Sequence, residues 1–378
     1  MPDDTHPRTG AGAGNGVGHG DVPFPLSILD QSPIGEGSSG AQALRNSIDL
    51  ARLGDALGYT RYWVAEHHGS PGLAGAAPEV LVSAVASATR AIRVGSGGVM
   101  LPHYSPLKVA ETFSMLAGLF PGRIDLALGR AAGTDPMTTF ALQRDRRQPS
   151  PDDFPQQLTE LLGYLDDALP ADFPFARLAR TLPGLPERPT PWLLGSSPQS
   201  VIWAAELGLP YAFADFINPG GAPVAARYRE RFVPSDTLAA PRLIVCAWAL
   251  CAESDAEAER LAASHRMMMK MLFRGEPIAV PSVERAERFL AEERTSSAAD
   301  GLPIAVHRER RAVVGSPATV REGLERVRRD YGADEVMVVT ITHEHEARRR
   351  SYELIAEAFG LAGRPGLNEG ATARVLGV

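Results

Sequence analysis

The chain has 378 residues, is 44% hydrophobic and 22% charged, and carries a formal net charge of −7. That hydrophobic share is enough for a sizeable core and excludes disorder over most of the length. The negative balance offers no long-range attraction to phosphate backbones or anionic lipid, so neither nucleic acid nor a membrane surface is an expected partner.

Residues 1–22, MPDDTHPRTGAGAGNGVGHGDV, are glycine-rich and polar, and read as a flexible tail ahead of one domain spanning 23–378. The sequence as given opens without a charged-then-apolar leader. No uninterrupted apolar run approaches the roughly 18 residues of a membrane span, so a cytoplasmic setting is expected. From Pro25 onward short apolar runs alternate with amphipathic stretches, the pattern of repeated βα units around a parallel sheet. Eight runs are predicted strands: Leu26 to Asp30, Arg61 to Ala65, Ile92 to Val99, Arg123 to Leu128, Pro191 to Leu194, Pro210 to Ala214, Leu243 to Leu250 and Glu335 to Ile341. Helical spacing follows each of the first six, as in Ala41 to Leu57, Pro78 to Thr89 and Leu107 to Leu119. Eight such units close a (β/α)₈ TIM barrel of the α/β class. An open doubly wound sheet fits less well, because no GxGxxG follows the first strand.

Two intervals are too long for simple connections: residues 131–190 after the fourth strand and 272–314 after the seventh. Both are predicted insertions over one face, the first with a helix near Gln156 to Ala168 and the second as a mobile lid. Cys246 and Cys251 share one predicted strand, which puts them on opposite faces about 16 Å apart and unable to pair.

In such a barrel the reactive residues sit where strands end and helices begin. The second end reads RYWVAEHHG and places Glu66, His67 and His68 just past the strand. An imidazole there serves as a general base, a hydrogen-bond donor or a structural ring bonded to a loop carbonyl. The third end, VGSGGVMLPHYSP, breaks its strand at Ser96, Gly97 and Gly98. Glycines inside a strand mark a bulge, a packing constraint or the close approach of a ligand to the main chain. The fourth end, RIDLALGRAAG, brings Arg130 out between small residues, where a guanidinium suits a phosphate or an acidic loop partner. The fifth, PWLLGSSPQSVIW, predicts Ser197 as an N-cap with Pro198 at the first helical position and Ser200 in the first turn. Exposed amides at that helix end favour an anion, and Gly195 and Ser196 allow it to come close. His343 and His345 in THEHE follow the last strand and, with His67 and His68, raise a metal hydrolase as a competing reading. Barrel metallohydrolases usually carry such a pair after the first strand, which here reads LDQSPIG, so no metal is expected.

YWVAEHH, VGSGGVMLP, the P-x-x-V-A-E-x-x-x-x-L helix from Pro106, GRIDLALGR and VVGSPATVREGLERVRRDYGADEVMVV occur in an order that resembles the luciferase-like flavin monooxygenases. The resemblance runs from about Pro25 to Gly360. It implies a barrel that binds reduced FMN, supplied by a separate flavin reductase. With O₂ the flavin would form a hydroperoxide that oxidises a small hydrophobic or aromatic organic substrate. A deazaflavin-dependent oxidoreductase of the same fold and a non-catalytic flavin-binding homologue are the alternatives. By resemblance His67 is the active-site histidine, flanked by Glu66 and His68, and Gly97-Gly98 is a non-prolyl cis peptide beside the flavin ring. Arg130 is the phosphate-binding arginine, with Ser196, Ser197 and Ser200 on the phosphate segment, and a homodimer is implied. The catalytic subunit of bacterial luciferase has a reactive cysteine at the position of Gly129 and a glutamate at that of Ser196, so light emission is not implied.

Overall fold

A computed structural model describes residues 24–131, 134–143, 145–148, 152–299 and 312–364, with all side chains but those of 296–299. The expected tail at 1–22 and residues 300–311 of the expected lid lie outside the described residues. The strands are β1 Leu26–Asp30, β2 Arg61–Val64, β3 Arg93–Met100, β4 Ile124–Gly129, β5 Thr190–Gly195, β6 Tyr211–Ala214, β7 Leu243–Cys251, β8 Ala312–Gly315 and β9 Glu335–Val339. The helices are α1 Gly40–Leu57, α2 Pro78–Ala88, α3 Pro106–Leu119, α4 Pro136–Leu142, α5 Phe154–Asp166, α6 Pro198–Glu206, α7 Ala222–Arg231, α8 Asp255–Phe273, α9 Val283–Ala299, α10 Pro317–Tyr331 and α11 His345–Phe359.

Hydrogen bonding runs β6-β5-β4-β3-β2-β1-β9-β7-β8, and β6 also pairs with β7, so every strand but β8 joins a closed ring of eight. These are the eight predicted strands, and the fold is a (β/α)₈ barrel. β8 corrects the reading of 272–314 as insertion alone. It pairs Ala312 to Gly315 with Trp248 to Cys251, the far half of β7, while β9 takes Ile244 to Trp248. One long strand thus serves two neighbours in succession, and the second insertion ends as sheet. The helix expected within the first insertion is α5.

Both faces of the barrel strands are buried, which is why they read as near-continuous apolar runs. Leu29, Trp63, Trp192, Phe216, Trp248 and Met337 belong to one buried cluster, which fills the barrel, and a larger cluster lies between strands and helices. Cys246 packs in the first and Cys251 in the second, both as free thiols, as the alternation of a strand requires. The N-terminal end of the barrel is closed by buried charge. Arg61 bonds Asp125 at 2.7 Å and Glu335 at 3.0 Å, and the indole of Trp63 donates to Asp125 at 3.0 Å. Chemistry is thereby left to the opposite end.

Candidate active site

At the C-terminal end of β2 the chain passes from buried apolar strand to Glu66, whose side chain is also fully buried. Its carboxylate gathers three donors. Oε2 accepts the Met100 N–H at 2.9 Å, and Oε1 accepts the Tyr104 hydroxyl at 3.1 Å and lies 2.8 Å from His68 Nε2. Burial and then the charge of Glu66 push the Tyr104 hydroxyl well above the usual phenol range. The His68 ring meets His103 edge-on at 5.7 Å. Glu66 therefore ties the end of β2 to the turn after β3.

His67 is placed differently. Its backbone N–H donates to Gly75 O at 2.7 Å, but its Nδ1 is buried with no hydrogen-bond partner among the described residues. Burial first, and the neighbouring His68 second, push the imidazole down to about 4. At neutral pH His67 is an uncharged ring.

On β3 the Gly97-Gly98 peptide is cis, and the register with β4 shifts between Gly97 and Val99. A Cβ on Gly97 would lie 2.4 Å from Leu29 Cδ1 and 3.0 Å from Trp63 Cβ, and one on Gly98 would lie 2.7 Å from Ala127 O. Packing inside the barrel and across to β4 alone demands both glycines. The Ser96 hydroxyl is engaged, donating to Ala127 O at 2.8 Å.

Arg130 emerges beyond β4 with its guanidinium 5.5 Å from the centre of the Trp203 ring on α6. It has no hydrogen-bond or ion-pair partner among the described residues. The contact ties Arg130 to α6, whose N-cap is Ser197 with its hydroxyl accepting the Ser200 N–H at 3.3 Å. Ser200 itself is turned inward: its hydroxyl donates to Ser197 O and lies 2.9 Å from the Tyr211 hydroxyl. Gly195 makes room for that hydroxyl, since a Cβ there would lie 2.5 Å from Ser200 Oγ. Ser196 O accepts from Asn218 Nδ2 at 3.0 Å. Sequence reading singled out neither Trp203 nor Asn218; an aromatic three residues past Ser200, one helical turn on, was the available signal for the first.

The two later histidines go elsewhere. His343 Nε2 lies 3.2 Å from Glu36 O, and His345 Nε2 lies 2.9 Å from Asp49 Oδ2. Among the described residues no group of three or more His, Cys, Asp or Glu is arranged to hold a metal ion. A cleft of about 470 Å³ lies at these histidines, lined by Gly35, Asn46, Thr342 and Arg348 among others. It shares no lining residue with the Glu66, Gly97 or Arg130 positions.

Fold and site together define a (β/α)₈-barrel enzyme with two histidines just after β2 and, on Trp203 of α6, a guanidinium that no described residue pairs. The sequence profile of the luciferase-like monooxygenase family matches residues 24–335. The chain belongs to that family and is a monooxygenase by membership. An N-acetyl-S-alkylcysteine monooxygenase of Bacillus subtilis is 37% identical over 342 residues, covering 90% of this chain and 99% of that one. The uncharacterized protein YwcH of the same species is 46% identical over 336 residues, covering 88% and 98%. The crystal structure of apo-MsnO8 matches with a TM-score of 0.79 and 42% identity, covering 90% of this chain and 99% of that one. Among the described residues no helix is long and apolar enough to cross a membrane.

Proposed function

We propose that this chain is a monooxygenase that uses reduced FMN and O₂ to oxidise a small hydrophobic or aromatic organic molecule. The observation that carries the reading is Arg130: a guanidinium without a described partner, resting on Trp203 of α6, the helix that Ser197 caps. A phosphate there would gain charge-assisted hydrogen bonds and the favourable end of the helix dipole. The residues present fit the phosphate end of FMN. Arg130 and the α6 amides would hold it, with Ser196 and Ser197 at its edge, and the side-chain-free backbone at Gly97-Gly98 would let a flat ring approach. When bound, reduced flavin supplies the electrons for oxygen activation.

The protein's own residues would bind and orient, and exclude water. His67 offers an uncharged imidazole, and Glu66 fixes the loop that carries it. A separate reductase would deliver the reduced cofactor. A second copy of the chain is the proposed partner, supported by the exposed Val80 on α2 and by Met115 and Leu119 on α3. Sedimentation at the mass of one chain would contradict that pairing.

The test is oxygen uptake with enzymatically reduced FMN, compared with a reduced deazaflavin. Uptake and tight binding with FMN, lost in Arg130→Ala, are expected. Preference for the deazaflavin, or no flavin binding at all, would overturn the reading.

A further inference from the structure

Two adjacent histidines in one site are rarely equivalent, and here the geometry separates them. His68 has a buried carboxylate 2.8 Å from its Nε2, whereas His67 has no side-chain partner among the described residues. Of the two His67 nitrogens, Nδ1 is sealed from solvent and unpaired, and Nε2 is the one left open. A buried N–H with no acceptor is the rarer and costlier orphan, so the proton of a neutral ring belongs on Nε2.

We infer that Glu66 and His68 act as a positioning pair that holds His67 as a neutral imidazole presenting Nε2–H, so that His67 serves as a hydrogen-bond donor. Glu66 anchors the His68 ring directly next to His67 in the chain, where any charge on His68 opposes one on His67. Among the described residues, three further groups lie at this trio. Tyr104 donates to Glu66, His103 meets the His68 ring, and Glu79 on α2 lies in the field of both Glu66 and His68. None of these carboxylates or hydroxyls bonds the His67 ring. What Nε2–H faces in turnover rests on the flavin-site reading; the tautomer itself does not.

The test therefore uses the protein without flavin. Long-range ¹H–¹⁵N correlation spectra of histidine-labelled protein report tautomer and protonation, with His67 assigned through His67→Gln. The expected result is a neutral His67 with the proton on Nε2 at every pH from about 5 to 8. In His68→Gln the titration of His67 should move upward by roughly one pH unit. Glu66→Gln should act on that titration only through His68, so the double variant should shift it no further than His68→Gln alone. A merely structural role for Glu66 would leave that titration unmoved. A doubly protonated His67 at pH 6, a proton on Nδ1, or an unchanged His67 titration in both single variants would overturn the inference. Should Glu66→Gln fail to fold, His68→Gln carries the test alone.

Discussion

His67 is the residue on which the proposed chemistry turns. Since the proposal puts it at the site but not at the phosphate end, His67→Ala is expected to keep FMN binding and lose substrate oxidation by about 10²-fold or more. Binding titration and coupled turnover on one preparation check both halves. The same ring sets a pH dependence of stability. In the unfolded chain it takes a proton near 6.5, but in the fold only near 4. As pH falls below 6.5 the unfolded state binds that proton first, so stability contributed by the neutral ring is lost between about 6.5 and 4. The full effect is about 3 kcal/mol, and denaturant melts at pH 7 and 4.5 should show a smaller drop for His67→Gln than for the parent. At this scale EHH, Gly97-Gly98 and Arg130 were readable because they stand at strand ends. The bonds from Tyr104 and Met100 to Glu66 were not, since they depend on how the turn after β3 folds back.

At the level of elements, β3 carries the tightest constraint. Gly97→Ala puts a methyl 2.4 Å from Leu29 Cδ1 in a filled barrel, and a cost of about 1 to 3 kcal/mol is expected. A lowered Tm checks this; an unchanged one would mean that the layer around Leu29 and Trp63 yields. The barrel strands were visible in the sequence because strands buried on both faces have nowhere to hide polar residues. β8 was not, because AVVG is four residues long, follows a polar interval and pairs with β7 beyond the reach of β9. α4 escaped notice for a related reason: its seven residues bury nothing, so no apolar stripe betrays it.

Over the whole molecule, charge is partitioned between the two ends of the barrel. Arg61, Asp125 and Glu335 close one end, joined across 64 and 274 positions of sequence, which is why Arg61 read as an ordinary strand residue. Arg61→Met would leave two buried carboxylates without that cation, at a cost of about 3 to 5 kcal/mol, measurable as a shifted urea midpoint. The other end keeps an imidazole neutral and a guanidinium that no described residue pairs, an arrangement that suits the proposed anionic, partly aromatic cofactor. The most direct measurement is difference density in a crystal soaked with FMN. The phosphate is expected between Arg130 and the start of α6, with the ring system against Gly97-Gly98 and in reach of His67. Density for FMN in the cleft at His343 and Arg348, or none in the barrel mouth at saturating FMN, would contradict it.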